Sequence, residues 1–301
     1  MGGELLSGGM RGLMAPYSSY WRRWRKLLHG GFMQRQSETY RPIQSLESKV
    51  LMHDLLTDPA GYRKHLERYA ASVIVTVTYG RRVEDVTTDI VVRRNAESME
   101  RLTLVKIPIW CWCGNSSLAS FFLACVKFGP QFIPKAQEEL DRVVGFDRLP
   151  TFDDLPKLEY IRAIVSETLR WRPVAVLGGT PHASTADNVY KGMFIPKGST
   201  IIAPLWSTDF PEPDEFRPER FLEDRNYPGT FGHSAFGWGR RICPGMHLGS
   251  ASITINIARI LWAFEINPEK GFDGKEVEVD ISIEFYRQEL ITAIQFRTQV
   301  D

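Results

Sequence analysis

The chain has 301 residues, 43% of them apolar, and its 37 basic side chains against 36 acidic ones leave a formal charge of +1. That size and apolar share suit one large domain or two ordinary ones with a buried core, and the even charge balance gives no overall case for nucleic acid or an acidic partner. Four cysteines, Cys111, Cys113, Cys125 and Cys243, are too few and too irregularly spaced for a secreted disulfide framework, so a reducing compartment is expected.

The first ten residues have neither a basic region nor a long apolar run, so no signal peptide is expected. No run of 18 uncharged apolar residues occurs, so no spanning helix is expected either. Over 17–33 the pattern Ser-Ser-Tyr-Trp-Arg-Arg-Trp-Arg-Lys predicts a cationic, aromatic helix capped by Ser18 or Ser19. Apolar spacing predicts further helices over 43–56, 62–79 and 89–104. The β-branched run 73–78 has strand propensity, but it continues the Ala-rich periodicity before it and is taken as helix. The period breaks near 105–115, then resumes in an apolar helix over 116–128 and an amphipathic one over 137–144 closed by Gly145. A helix over 158–171 stops at Pro173. Beyond it, 189–195 and 199–203, joined by Pro196-Lys197-Gly198, are expected to pair as two short strands. The stretch 210–232, rich in Pro, Asp and Arg, is expected to be an ordered meander. An all-round apolar helix over 246–264 should be buried, and 277–280 and 290–296 are strand candidates.

The most informative motif is Phe236-x-x-Gly239-x-Arg241-x-Cys243-x-Gly245, directly before that buried helix. Five fixed residues within ten positions read as a thiolate socket for a haem iron. Glycines let backbone approach the sulfur and the porphyrin, Arg241 is in reach of a propionate, and Phe236 shields the sulfur. Glu167 and Arg170 share one helical face, and Arg220 stands in Phe216-Arg-Pro-Glu-Arg-Phe221, so two planar guanidiniums can share one carboxylate and pin the meander. Taken alone, Glu-x-x-Arg is equally an ordinary surface pair. The Trp21/Arg25 cluster suits a membrane or nucleic-acid surface, a solvated face, or a clamp on haem carboxylates, and the cysteine loop favours the clamp. His182 is a second propionate candidate, though a lone His after Pro is more often a plain loop residue. Cys111-Trp-Cys113 lacks the second pair a structural zinc site needs.

Together these residues resemble cytochrome P450, the haem-thiolate monooxygenases, and more narrowly a fungal microsomal-type branch; the matching features run from the Trp21/Arg25 helix to the Cys243 loop. The resemblance implies a mainly α fold with a small β region, incomplete here, in a single truncated domain 1–301: a helical part with a distal-helix remnant over 17–145 and a haem-thiolate core over 146–301. It implies haem b, with Cys243 as axial ligand, Trp21, Arg25, His182 and Arg241 on the propionates, Phe236, Gly239 and Gly245 shaping the loop, and Glu167, Arg170 and Arg220 as a structural triad. It also implies oxygen insertion from O2 into a small apolar substrate, electrons from an NADPH-cytochrome P450 reductase docked on basic residues near the loop, and the cytosolic face of the endoplasmic reticulum, although no anchor is seen. The chain departs from the family near 104–116, where the substrate roof is expected, and in the distal helix, where Gly114-Asn115-Ser116-Ser117 stands for the usual acidic or amide residue followed by threonine. The stretch before Pro213 is shortened. A haem-binding remnant without turnover is therefore the alternative, and a basic-aromatic interaction protein the third reading.

Overall fold

The structure is a computed structural model and describes residues 12, 15–103, 113–174, 181–203, 210–222, 234–268, 270–277 and 292–297. Eight α-helices occur among them: α1 (Ser19–Phe32), α2 (Gln34–Glu38), α3 (Arg41–Thr57), α4 (Tyr62–Tyr79), α5 (Ile90–Thr103), α6 (Cys113–Val143), α7 (Glu159–Trp171) and α8 (Met246–Ala263). Six short strands form three two-stranded antiparallel ladders, giving the mainly helical architecture with a small β content.

Helix α6 is the centre of the core. Phe121, Phe122, Leu123 and Phe132 are fully or almost fully enclosed, and the helix packs against α8, α7 and α4. Burying one such aromatic or aliphatic side chain contributes about 1.5–3 kcal/mol. At its middle Phe128 meets Trp171 of α7 edge-on at 5.4 Å, and Phe216 closes the cluster 4.9 Å from Phe132. This aromatic knot brings the segment after α7 back onto the core.

Two expected helices, 116–128 and 137–144, are one helix of 31 residues that runs through Pro130 and Pro134. Each proline removes an amide donor and costs about 3 kcal/mol in a helix interior. Burial of Phe128, Phe132 and Ala136 on both sides of the breaks outweighs that cost. The helix ends as expected at Gly145, whose φ of 76° lets its N–H return to the carbonyls of Leu140 and Asp141. By length and composition Ser116–Val143 would also pass for a membrane span, contrary to the expectation that none does, but 67% of its most apolar window is buried inside the protein, as befits a core helix.

The β region differs from expectation. Residues 189–195 are not one strand: β2 (Asn188–Tyr190) folds back on β3 (Met193–Ile195), and Val189 faces Phe194. Lys191 and Gly192 at the turn have φ of 49° and 81°, the left-handed pair that a two-residue hairpin requires. The following strand β4 (Thr200–Ile201) pairs with β1 (His182–Ala183) instead. A strand not expected at all, β5 (Phe264–Pro268), continues straight from α8 and pairs with β6 (Thr292–Phe296). Its burial alternates, with Phe264 and Ile266 inward and Glu265 and Asn267 outward. The α1 cap is Ser18, whose Oγ accepts from the Trp21 N–H at 3.2 Å. The run 73–78 is helical, as its periodicity indicates. Residues 104–112, 223–233 and 278–291 lie outside the described residues, and with them Cys111, the junction at 104–112, much of the meander and the 277–280 strand candidate beyond Val277.

Candidate haem-thiolate site

The loop before α8 is built by two glycines. Gly237 and Gly239 take φ of 77° and 55°, and a one-turn helix over Gly239–Arg241 follows. A side chain at either position would be strained. The loop closes when the Cys243 N–H donates to the Phe236 carbonyl at 2.8 Å, and α8 starts three residues later. The Phe236 ring packs against the main core, and a Cβ at Gly249 would lie 3.7 Å from it. Gly245 is different: its φ is ordinary, and a Cβ there would meet only the Cys243 sulfur at 4.0 Å, so the polypeptide alone does not demand glycine.

Cys243 is half-buried. Burial pushes its thiol up, while the Gly245 backbone N–H and the Arg25 charge pull it down by less. Arg25 of α1 donates from Nη1 to the Ile242 carbonyl at 2.5 Å, across 217 residues of sequence. Arg241 lies with its guanidinium 4.5 Å from the Trp21 ring centre and donates to the Ala15 carbonyl at 2.8 Å. Burial and then the nearby Arg25 charge both lower the Arg241 pKa. Among the described residues, no carboxylate pairs with either arginine. Two partly buried cations that repel one another and lack an anion among the described residues, set beside a half-buried thiol, are a donor set that fits haem: carboxylates for the arginines and iron for the thiol.

A second cluster ties α7 to the segment 211–220. Glu167 of α7 is fully buried and accepts from Arg170 Nε and Nη2 at 2.6 and 2.8 Å, from Arg220 Nε at 3.1 Å, and from the Arg217 backbone N–H at 2.7 Å. The remaining donors of Arg170 and Arg220 go to the carbonyls of Pro211, Glu212, Pro213 and Glu215. Each guanidinium is thereby bonded to both a carboxylate and main chain. Trp171 adds a bond from Nε1 to the Asp214 carbonyl at 2.6 Å. One carboxylate and two forks therefore hold the whole turn 211–217 against α7.

The structure thus brings Trp21, Arg25, Arg241, Cys243 and Phe236 into one neighbourhood, and Glu167, Arg170 and Arg220 into another. His182, half-buried on β1, makes no hydrogen bond or ring contact with the first group. On α6, Ser117 is buried, and Ser120 donates to the carbonyls of Ser116 and Arg172 at 3.1 and 3.3 Å. Gly114 and Asn115 lie within α6, but their side chains are outside the described residues. Among the described residues no group of three His, Cys, Asp or Glu side chains is placed to hold a metal ion.

Sequence reading missed several supports. Glu139 caps α7, accepting from the N–H groups of Tyr160 and Ile161 at 2.9 and 3.1 Å. Glu219 accepts from Lys135 and from the Tyr160 hydroxyl at 2.6 and 2.7 Å. Tyr17 lies between Arg22 and Arg240, whose guanidiniums approach its ring at 5.8 and 5.4 Å. Glu219 stands in the Phe216–Phe221 motif, but its partners, like those of Glu139 and Tyr17, are set only by the packing of separated segments.

A protein-family model for cytochrome P450 matches residues 115–283. Cytochrome P450 monooxygenase 58 of Postia placenta is 32% identical over 92% of this chain and 70% of its own length. Cytochrome P450 monooxygenase verL of Clonostachys rogersoniana is 32% identical over 91% of this chain and 69% of its own. The first alignment runs over 371 residues, more than the 301 of this chain, so that relative carries internal segments that this chain lacks. Among solved structures, a zebra fish cytochrome P450 determined with abiraterone superposes with a TM-score of 0.73 at 20% identity, covering 99% of this chain and 87% of that one.

Proposed function

Because the chain belongs to the cytochrome P450 family of haem-dependent monooxygenases, we propose that Cys243 is its axial thiolate and that Trp21, Arg25 and Arg241 hold the haem propionates. The observation that carries this reading is the pair of partly buried arginines beside the half-buried Cys243, with no carboxylate for either among the described residues.

A haem bound through a thiolate supplies the activation of O2, the sulfur pushing electron density that favours O–O cleavage. The chain's own residues have separate tasks around it. The Gly245 N–H and the Arg25 charge favour the sulfur anion that ligation needs. Phe236, whose carbonyl accepts the Cys243 N–H and whose ring packs on the core, is assigned to shield the sulfur, and Gly239 gives the loop its turn. Arg25 fixes the carbonyl next to the ligand while offering its other donors to a carboxylate. Glu167, Arg170 and Arg220 act as the structural frame that keeps the turn 211–217 on α7. His182 is retained as a fourth propionate partner on the family resemblance alone.

One hydrophobic cluster takes residues from both 17–145 and 146–301, which supports reading the chain as one domain. The substrate proposed is a small apolar molecule. The electron donor proposed is an NADPH-cytochrome P450 reductase that meets the basic surface formed by α1 and Arg240.

The haem-loaded protein should give the red-shifted Soret band of a thiolate ligand in its ferrous–CO complex, and Cys243→Ala should abolish it. A band that survives this substitution sinks the assignment. The internal segments present in the relative but lacking here favour one second reading, a haem-binding remnant without turnover. Steady NADPH consumption with reductase but no product from an apolar substrate panel would select it.

A further inference from the structure

Among the described residues, six buried side-chain atoms lack a hydrogen-bond partner, and five of them, Gln44 Oε1, Ser48 Oγ, Arg68 Nη2, Tyr69 OH and Asn256 Oδ1, lie on α3, α4 and α8. Leaving a buried polar atom without a partner is destabilising, so several on one helix contact require an account. The two amide oxygens are the firmest. Gln44 is fully enclosed and its Nε2 donates to the Leu248 carbonyl at 2.9 Å and to Ser252 Oγ at 2.7 Å. Asn256, equally enclosed, donates from Nδ2 to the Ser252 carbonyl at 2.8 Å. In each case a backbone carbonyl faces the amide, so reversing the amide would set oxygen against oxygen. The oxygens therefore point away from those carbonyls, each needing a donor.

Two hydroxyls stand close by. Ser48 is one helical turn beyond Gln44 on α3 and fully enclosed. Tyr69 of α4 lies beside Ser252 and Asn256 but without hydrogen-bond geometry to either, and burial pushes its hydroxyl up to about 12 against their opposing pull, so it stays a neutral donor at any ordinary pH. Two acceptors and two hydroxyls, all buried, are the complement of a water molecule, which donates twice and accepts twice. Internal waters characteristically make about three such bonds to groups of this kind.

We propose that α3, α4 and α8 enclose a site for ordered internal water, held by Gln44 Oε1, Asn256 Oδ1, Ser48 Oγ and Tyr69 OH. The site joins α8 to the two helices behind it through groups that direct contact leaves unsatisfied. Because Gln44 also grips Leu248, in the first turn of α8, the water and its holders fix the roll of the helix that begins three residues after Cys243.

The test is a high-resolution crystal structure of the haem-loaded protein, with NMR cross-relaxation between long-lived water and the side-chain amide protons of Gln44 and Asn256. Water density within hydrogen-bond distance of both amide oxygens supports the site, as does a cross-relaxation signal weakened in Tyr69→Phe and in Ser48→Ala. Both variants should remain folded, with melting temperatures lowered by about 2–4 °C. Direct hydroxyl-to-amide bonds with no water density overturn the proposal. So does a water signal that both variants leave unchanged.

Discussion

Two pairs of arginines in this protein have opposite states. Arg170 and Arg220 close on Glu167, and their remaining donors reach backbone carbonyls, so charge and hydrogen bonding are complete within the polypeptide. Arg25 and Arg241 reach only the carbonyls of Ile242 and Ala15, and their charges have no carboxylate among the described residues. The first pair is explained by folding alone. The second is left open by folding, which is the basis for the proposed haem site, and it stands beside the one half-buried thiol described. Neutralising the anion of a saturated cluster should therefore damage stability, whereas removing a cation from the unsaturated one should damage ligand retention.

The largest effect expected is from Glu167→Gln. It leaves two buried guanidiniums without their anion, which typically costs about 3–5 kcal/mol, to be read from urea midpoints of the haem-free protein. A loss below about 1 kcal/mol would erase the distinction between the pairs. Next, Arg25→Met and Arg241→Met should each weaken haem retention about 10- to 100-fold, the worth of a charged hydrogen bond. Haem transfer to apomyoglobin measures it, and the haem-free stability should fall far less than in Glu167→Gln. Third, burial holds the Cys243 thiol above its ordinary pKa, and the ligand form is the thiolate. Haem uptake must then release a proton, so apparent affinity should rise with pH, by at most about tenfold per unit, and level off above the raised pKa. A flat profile from neutral to alkaline pH would contradict thiolate ligation.

The smallest effect tests a third, partly exposed cluster. Burial raises the Glu47 carboxyl, but hydrogen bonds and charge from Arg82 and Arg68 more than reverse this and leave its pKa lowered. A lowered folded-state value means stability present above the ordinary glutamate pKa of 4.5 and lost as pH falls through the folded value. Wild type should therefore lose its thermal advantage over Glu47→Gln between neutral pH and about pH 3, by less than about 1 kcal/mol given the exposure of Arg82. An undiminished gap would remove Glu47 from the saturated class.

The helices were legible wherever one face was apolar. Residues 62–79 and 158–171 appear almost to the residue, since their periodicity is strong and their ends carry Gly80 and Pro173. The cysteine loop was legible because its function fixes residue types at fixed spacing. What escaped was set by distant partners. Proline normally ends a helix, and nothing local shows that Phe128 and Phe132 bury deeply enough to carry α6 through Pro130. The Lys191-Gly192 turn is hard to foresee because lysine rarely takes a positive φ. The alternation of 264–268 was present but hidden against the uniformly apolar helix before it. For the site, which residues cluster was foreseeable; that Arg25 reaches the Ile242 carbonyl and that Glu167 also holds the Arg217 backbone were not.

The bond from Arg25 to Ile242 spans 217 residues and that from Arg241 to Ala15 spans 226. A ribosome adding roughly 5–20 residues per second needs about ten to forty seconds between the two ends of either bond. Throughout that interval the nascent chain displays α1, with Trp21 and its arginines, while the loop that will cover them does not yet exist. Core helices α3, α4 and α6 emerge well before. The contacts that join α1 to the cysteine loop therefore form only after the core helices α3, α4 and α6 have been made, so this neighbourhood is assembled from two widely separated parts of the described chain.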